Sequence, residues 1–279
     1  MNTMEPQGNP QAPLAAPSGS VEAWALAYIG STSLDHKRRP GRPGSPDMVF
    51  ESGPARRWEG APGRPAELEV VSRSPKTPRP GSLDRPEQRA RLLHTFWHHE
   101  LQAAELFAWA VLAFPGTPEA FRAGLVEILF EELAHMALYE RELERLGYAI
   151  GAFPVRDWFW ERVPTATTPQ AFLALVGLGL EAANLDHGGL WADRFEAIGD
   201  TSGAEVQRRV VREEERHVAF AARWWPRLGG ELTFASWSAA LPAPLSPLLF
   251  RGKPLARDAR LRAGFDAEFV EALAAWRQE

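Results

Sequence analysis

Two Glu-x-x-His motifs, each preceded by a glutamate at a matching distance, constrain the fold more than any other feature of this chain. The motifs are Glu132-Leu-Ala-His135 and Glu214-Glu-Arg-His217, and the upstream glutamates are Glu100 and Glu181. The step from Glu100 to Glu181 and the step from Glu132 to Glu214 differ in length by a single position. Such a repeat indicates one helical hairpin present twice, which predicts an all-α fold built on a bundle of four helices.

Proline and glycine mark the boundaries of the two predicted hairpins. Pro115-Gly116 ends a first helix, and Thr117-Pro118 predicts an N-cap followed by a proline at the first position of the second helix. Thr168-Pro169 opens the third helix with the same pattern. The four predicted helices cover residues 85–114, 117–146, 168–198 and 201–225.

The segments outside the hairpins have a different composition, with 14 of the 24 prolines lying before residue 90. We predict a disordered tail over residues 1–20 and a Pro/Arg-rich arm over 21–83 that wraps the bundle. The bundle covers residues 84–226, and a C-terminal helical extension covers 227–279. Short helices are expected at 20–29, with Ser20 as the N-cap, at 231–239 and at 266–277.

The basic residues of the arm have two interpretations. They could bind an anion or a polynucleotide, or they could pair with acidic side chains on the bundle surface. The formal net charge of −5 favours the second interpretation and argues against nucleic-acid binding driven by phosphate neutralisation. The residues concerned are Lys37, Arg38, Arg39, Arg42, Arg56 and Arg57.

Composition limits the chemistry that the chain can perform. The 279 residues include no cysteine, which excludes disulfides, thiolate nucleophiles, zinc–thiolate sites and iron–sulfur clusters. The longest apolar run, residues 171–180, is too short to span a bilayer. The N-terminus lacks the basic start and apolar core of a signal peptide. We therefore expect a cytoplasmic protein without membrane contact, whose metal ligands, if any, are oxygen and imidazole.

Spacing brings the first hairpin's candidate ligands to one level. Glu132 lies about four helical turns after Thr117, and Glu100 lies about four turns before Phe114, so the two face each other across the hairpin. In the second hairpin, spacing alone does not identify the partner of Glu214, because Glu181 and Asp186 both lie near its level. The repeat offset favours Glu181 and pairs Asp186 with Glu105. We therefore expect Glu105 and Asp186 to support the ligands from outside, with His98 orienting such an acid.

The apolar surroundings of these acids predict a metal site. An unpaired buried carboxylate costs several kcal/mol, and four together repel one another. Two divalent cations would neutralise them. One Glu-x-x-His motif alone is more often a surface pair, but two motifs with matched partners are hard to explain in that way. The predicted ligands are Glu100, Glu132, His135, Glu181, Glu214 and His217.

Residues 84–225 resemble the ferritin-like superfamily of di-iron carboxylate proteins, whose ligand pattern is Glu, Glu-x-x-His, Glu, Glu-x-x-His. The stretches 98–106 and 179–186, together with the tail 252–265, resemble an uncharacterised bacterial family of ferritin-like proteins. A more distant similarity links the chain to tRNA hydroxylases that oxidise a modified adenosine. The resemblance implies that Glu132 and Glu214 bridge two metal ions, with the histidines and the two remaining glutamates as terminal ligands.

The implied function is that of an oxidoreductase with two iron ions, or one manganese and one iron, that activates O₂ or peroxide. Its expected partners are a small organic or nucleoside-like substrate, O₂ and an external electron donor, and it is expected to be a monomer or homodimer. One alternative is a protein that binds, oxidises or stores iron without an organic substrate. Another is a structural adaptor that has lost its metal, although the complete ligand set speaks against it.

Overall fold

The structure, a computed structural model, is all-helical and describes residues 15–44 and 47–277. No strand is present in these ranges, where extended pairing is limited to a single parallel bridge between Val70 and Val155. The predicted all-α fold is therefore confirmed. The main helices are α3 (Pro86–Ala113), α4 (Glu119–Arg145), α5 (Pro169–Leu175), α6 (Ala182–Ala197) and α7 (Thr201–Leu228).

Helices α3 and α4 form the first hairpin and pack along each other. Their boundaries lie within two residues of the predicted ones, because Pro115 and Pro118 cannot continue a helix. The predicted N-cap at Thr117 is wrong, since Pro118 occupies the N-cap position. The Thr117 hydroxyl instead donates a hydrogen bond to the Phe114 carbonyl, at 2.7 Å, and closes the turn.

The second hairpin consists of the third predicted helix and α7. Thr168 caps α5 as predicted, since its hydroxyl oxygen accepts a hydrogen bond from the backbone N–H of Ala171. A π-helical segment, Val176–Glu181, then interrupts the helix before α6 begins. Asp200, rather than the threonine that follows it, caps α7. α6 packs along α7, and α7 also contacts the π segment and α4.

The N-terminal arm is anchored in the core. Ser20 caps α1 (Val21–Gly30) as predicted, and the apolar face of this helix packs on α3. A second short helix, α2 (Leu34–Arg38), follows, and the rest of the described arm is largely irregular. Four apolar side chains of α1 are fully buried, which gives the arm stronger anchors than its composition indicates: Val21, Ala25, Tyr28 and Ile29. Most of the predicted tail 1–20 lies outside the described residues.

The C-terminal extension is helical, with α8 (Phe234–Ala240), α9 (Arg257–Arg262) and α10 (Ala267–Ala275). The first and last match the predicted helices within a few residues, whereas α9 is additional. α9 contacts both α6 and α7, so the extension packs on the second hairpin. No helix in the described part of the chain is long and apolar enough to cross a membrane.

Candidate metal centre

The structure brings all six predicted metal ligands together in the interior. Two groups of side chains each have candidate ligand atoms within 4.8 Å of one another. Every member is buried, with an exposure between 0% and 5%. Glu132 and Glu214 belong to both groups. The first group is Glu100, Glu132, His135 and Glu214, and the second is Glu132, Glu181, Glu214 and His217.

Helix geometry explains why these side chains converge. Residues three apart lie on one face of a helix, so the glutamate and histidine of each motif point the same way. α4 and α7 pack against each other, which directs the two motifs at one another. α3 contributes Glu100, and Glu181 is the last residue of the π segment. Each ligand group therefore draws on both hairpins.

The π segment allows a close approach to α7. A Cβ atom on Gly177 would lie 2.5 Å from the Ala221 Cβ, nearer than real Cβ contacts. Ala221 is one turn beyond His217 on α7. Glycine at 177 therefore lets the segment that ends in Glu181 lie directly against the helix that carries the second motif. Single-turn π segments inside α-helices occur frequently at functional sites.

The Nδ1 atoms of both histidines face the buried carboxylates. His135 Nδ1 lies 3.2 Å from Glu132 Oε2 and 3.7 Å from Glu214 Oε1. His217 Nδ1 lies 2.9 Å from Glu132 Oε1 and 3.0 Å from Glu214 Oε2. Its distance to Glu181 Oε2 is 3.8 Å. Both imidazoles thus direct the same nitrogen into the space enclosed by the acids.

Two further glutamates, missed by the sequence reasoning, hold the outer nitrogens of the histidines. His217 Nε2 lies 2.9 Å from Glu131, which directly precedes the first motif, and His135 Nε2 lies 3.1 Å from Glu213, which directly precedes the second. Each of these glutamates therefore contacts the histidine of the other hairpin. A signal was present in the sequence, because each motif reads Glu-Glu-x-x-His. A histidine that ligates a metal commonly donates its other N–H to a carboxylate in this way.

The negative charges of the clustered acids repel one another and shift their pKa values. Burial, followed by the negative charges of Glu132 and Glu214, raises the pKa of Glu100 well above its usual value. Burial and the charges of Glu181 and Glu132 likewise raise the pKa of Glu214. Burial opposes ionisation of Glu132, but the charge of His217 and a hydrogen bond from His135 outweigh it and lower its pKa. The buried carboxylates therefore oppose one another's ionisation, which a bound cation would relieve.

The donor set fits a pair of hard or borderline cations. Glu181 Oε2 is buried and accepts no hydrogen bond within the described residues, and such an unsatisfied oxygen is costly unless something binds it. Carboxylate oxygens and imidazole nitrogens are ligands that suit iron and manganese. Sharing of Glu132 and Glu214 between the two groups is compatible with two ions side by side.

Among the described residues, the hydrogen bonds of Glu105 and His98 go to the arm and to Asp157, and their supporting role at the ligands stays a prediction. Glu105 is fully buried in an ion-pair network, where Lys37 Nζ and Arg64 Nη1 each lie 2.6 Å from its Oε1 atom. His98 Nε2 lies 3.1 Å from Asp157, which Arg64 also binds. This network joins the N-terminal arm to α3. The arm's Lys37 is therefore buried in the core and is not available at the surface for an anion.

Asp186 plays the equivalent part for the C-terminal extension. Its carboxylate accepts hydrogen bonds from the backbone N–H groups of Gly252 and Ala256, at 2.8 and 2.7 Å. Arg260 Nη2, fully buried, lies 2.7 Å from Asp186 Oδ2. Asp186 and Glu105 occupy matching positions in the repeat, and both bind an extension in place of a metal ligand.

A cavity of about 510 Å³ opens beside the acids. Glu100 and Glu181 lie in its wall together with the buried side chains of Tyr139 and Gln207. Burial and the charge of Glu100 raise the pKa of Tyr139, so its hydroxyl stays protonated. The remaining wall is mainly apolar and aromatic. One side of the ligand cluster therefore faces a space of the size of a small organic molecule.

The fold and the site thus define a class of protein: an all-helical chain with two carboxylate–histidine groups that share Glu132 and Glu214. Residues 25–271 match the family model described as "Protein of unknown function (DUF455)", and the chain belongs to this family. No curated protein and no solved structure matches the chain.

Proposed function

We propose that this protein is a di-metal carboxylate oxidoreductase, with two iron ions or a manganese–iron pair in the cluster of six ligands. The observation that carries the proposal is the overlap of two four-residue ligand groups in Glu132 and Glu214. A single ion would need only one such group. The proposal includes a four-helix bundle of the ferritin-like type, for which the pairing of α3 with α4 and of α6 with α7 is the support.

The proposed roles follow from the contacts. Glu132 and Glu214 would bridge the ions, because each belongs to both groups. Glu100 and His135 would complete one coordination sphere, and Glu181 and His217 the other. With metal bound, Glu131 and Glu213 would accept the Nε2–H of the opposite histidine, which would leave Nδ1 free of a proton to bind the metal.

The bound metal pair would supply the activation of O₂ or peroxide, with electrons from an external donor. The chain's own residues surround that chemistry with a dry space, because every ligand is at least 95% buried. Glu100 and Glu181 lie both in the ligand cluster and in the cavity wall, so a molecule in the cavity would lie next to the ions. The substrate would be a small organic or nucleoside-like compound.

An iron-handling protein without an organic substrate is the alternative. A cavity of about 510 Å³ that reaches two ligands favours the enzyme, since iron storage needs no pocket of this kind. The mass of the protein in solution separates the two functions further. A monomer or homodimer supports the enzyme, whereas a shell of many subunits supports storage.

The decisive measurement is metal content per chain, by elemental analysis of protein purified without chelator. We expect two iron or manganese ions in the native chain and loss of metal in Glu132→Ala and His217→Ala. Glu144→Ala and His36→Ala, outside the cluster, serve as matched controls that keep the metal. Circular dichroism verifies that all variants fold.

The activity is tested by reducing the iron-loaded protein and recording O₂ consumption. Uptake of O₂ by the native chain but not by Glu132→Ala supports the oxidoreductase. A folded native chain that binds no metal after anaerobic loading with iron(II) would overturn the proposal.

A further inference from the structure

Aromatic side chains in the wall of the 510 Å³ cavity favour ligands of a particular shape. Five aromatic rings in its wall form a continuous series from Trp158 through Phe159, His99 and Phe96 to Trp191. Successive ring centroids are 5.8, 4.9, 6.5 and 6.1 Å apart. Rings at such distances present flat faces and edges on which another flat ring can stack. The wall therefore fits a planar molecule better than a globular aliphatic one.

The charges around the cavity are few. Apart from Glu100 and Glu181, the only Asp, Glu, Lys or Arg side chain in the wall, as far as the structure describes it, is Arg156. Its guanidinium group is already bound by both carboxylate oxygens of Glu161, at 3.0 and 2.6 Å. An anionic ligand would find no free cation there. Two carboxylates that bind metal cannot also neutralise a cationic ligand.

Besides Glu181 Oε2 and His98 Nδ1, a neutral amide in the wall has an unsatisfied donor atom. Gln207 is 2% exposed, its side chain interacts with the Tyr139 hydroxyl, and its buried Nε2 atom makes no hydrogen bond of good geometry to a described residue. An unsatisfied buried N–H group is costly, and a ligand atom that accepts its hydrogen bond would remove the cost. Gln207 lies on α7, two turns before Glu214, so an acceptor bound to it would lie close to the ligand cluster.

We propose that this cavity is the substrate site and that it binds an uncharged, planar aromatic compound with one hydrogen-bond acceptor directed at Gln207. The inference rests on the proposed function only in assigning the ligand as substrate. The ring series and the Gln207 amide are independent of any metal, whereas the neutralisation of Glu100 and Glu181 requires bound ions. Binding and metal content can therefore be tested separately.

The probe is coumarin, a flat and uncharged bicyclic compound with a lactone carbonyl as acceptor. Its binding is measured by isothermal titration calorimetry at pH 7, on the metal-free full chain and on the chain loaded anaerobically with iron(II). Comparison compounds change one property each. Coumarin-3-carboxylate adds a negative charge, camphor is an uncharged ketone that is not flat, and naphthalene is flat but has no acceptor.

We expect coumarin to bind at least about tenfold more tightly than the carboxylate or camphor, a difference of about 1.4 kcal/mol. Gln207→Leu should weaken coumarin about five- to tenfold, the worth of one hydrogen bond, and leave naphthalene within about twofold. Gln88→Leu, outside the cavity, is the matched control and should change neither. Thr95→Trp places a large side chain in the cavity wall and should abolish binding of both compounds.

Three results would overturn the inference: no coumarin binding in either metal state, tighter binding of the carboxylate, or equal loss of coumarin and naphthalene in Gln207→Leu. Binding of coumarin by a chain that takes up no metal would support the ligand site while the proposed oxidoreductase fails. A chain that binds two metal ions but no coumarin would keep the metal site of the proposed oxidoreductase and contradict the ligand site. Thermal unfolding of each variant verifies that its cavity belongs to a folded chain.

Discussion

At the scale of single residues, the crossed contacts of Glu131 and Glu213 are the most consequential addition to the predicted site. Each carboxylate holds the Nε2 atom of the histidine in the opposite motif. Arg216 and Arg209 in turn pair with these carboxylates, at 3.2 and 3.1 Å. The orientation of each imidazole therefore depends on a residue of the other hairpin.

This arrangement predicts the effect of Glu213→Gln. The variant keeps the size of the side chain but loses the charge that orients His135, so metal affinity should fall about 10- to 100-fold. Competition with a chelator for iron(II) or manganese(II) measures the change. Glu205→Gln, on the exposed face of the same helix, should leave the affinity within about twofold. Equal affinities for native protein and Glu213→Gln would remove Glu213 from the site.

His94 gives the protein a defined acid sensitivity. It is buried and its Nε2 atom accepts a hydrogen bond from the backbone N–H of Gly151, at 2.9 Å, which requires a neutral imidazole. Burial, followed by the charges of His98 and Arg91, lowers the pKa of His94 to about 4. An unfolded chain takes up a proton on this histidine near pH 6.5, whereas the folded chain does so only near pH 4. Stability from this group is therefore lost as the pH falls from 6.5 to 4.

The predicted loss for His94 amounts to about 2 kcal/mol between pH 7.5 and pH 5. His94→Gln keeps an acceptor for Gly151 but cannot titrate, so its stability should fall by about 2 kcal/mol less over the same range. Urea unfolding of both proteins at the two pH values gives the comparison. Parallel changes in the two proteins would show that His94 is not the titrating group.

At the scale of elements, the π segment determines how closely the second hairpin packs. Gly177 contacts Ala221 of α7, and Gly179 lies against the Ala174 carbonyl and the Phe250 ring. Side chains at either position would push these neighbours apart. The segment ends in Glu181, so its packing and the position of one predicted ligand are linked.

Gly177→Ala is therefore expected to destabilise the protein by about 1–3 kcal/mol, because a Cβ atom there overlaps Ala221. Metal affinity should fall as well, since Glu181 moves away from α7. Gly189→Ala is a matched control in α6, where the added Cβ meets no atom within 4 Å. That change should be neutral or stabilising by up to about 1 kcal/mol. Urea unfolding and metal analysis of both variants test the pair, and equal stabilities would contradict the expected overlap.

At the scale of the whole molecule, two buried acids at equivalent repeat positions fasten the two extensions. Glu105 binds Lys37 and Arg64 of the N-terminal arm, and Asp186 binds Arg260 of the C-terminal extension. The indole N–H of Trp160 donates a further hydrogen bond to Glu105, at 2.8 Å. The extensions are therefore parts of one folded unit with the hairpins.

Glu105→Gln should destabilise the whole chain by about 3–5 kcal/mol, because Lys37 would be left buried without its counter-charge. Hydrogen exchange should increase in α1 and α2, while folded protein should keep its full metal content. Glu127→Gln breaks the exposed pair with Arg42 and should cost less than about 1 kcal/mol. Loss of metal from folded Glu105→Gln protein would instead place Glu105 in the ligand environment.

Much of this architecture could be predicted from the sequence, because its signals are local. Pro115, Pro118 and Pro169 interrupt helices wherever they occur, so most boundaries were predicted within two residues. The repeat offset identified the six residues that converge. That they bind metal stays a prediction.

The features that were missed depend on contacts between distant segments. Nothing near Lys37 in the sequence indicates that it lies in the core against Glu105, 68 residues away. The π segment was missed because an uninterrupted α-helix was assumed. Helix spacing gives the height of Glu105 and Asp186 along the bundle but not their partners, which lie in the arm and in the C-terminal extension.

The distribution of the six candidate ligands also bears on how such a chain could arise. The first group takes Glu214 from the second hairpin, and the second group takes Glu132 from the first. A lone hairpin would therefore hold an incomplete set, which association with an identical copy would complete. Duplication and fusion of a self-associating ancestor would account for the nearly constant offset between the two halves, and would have freed each half to acquire its own extension.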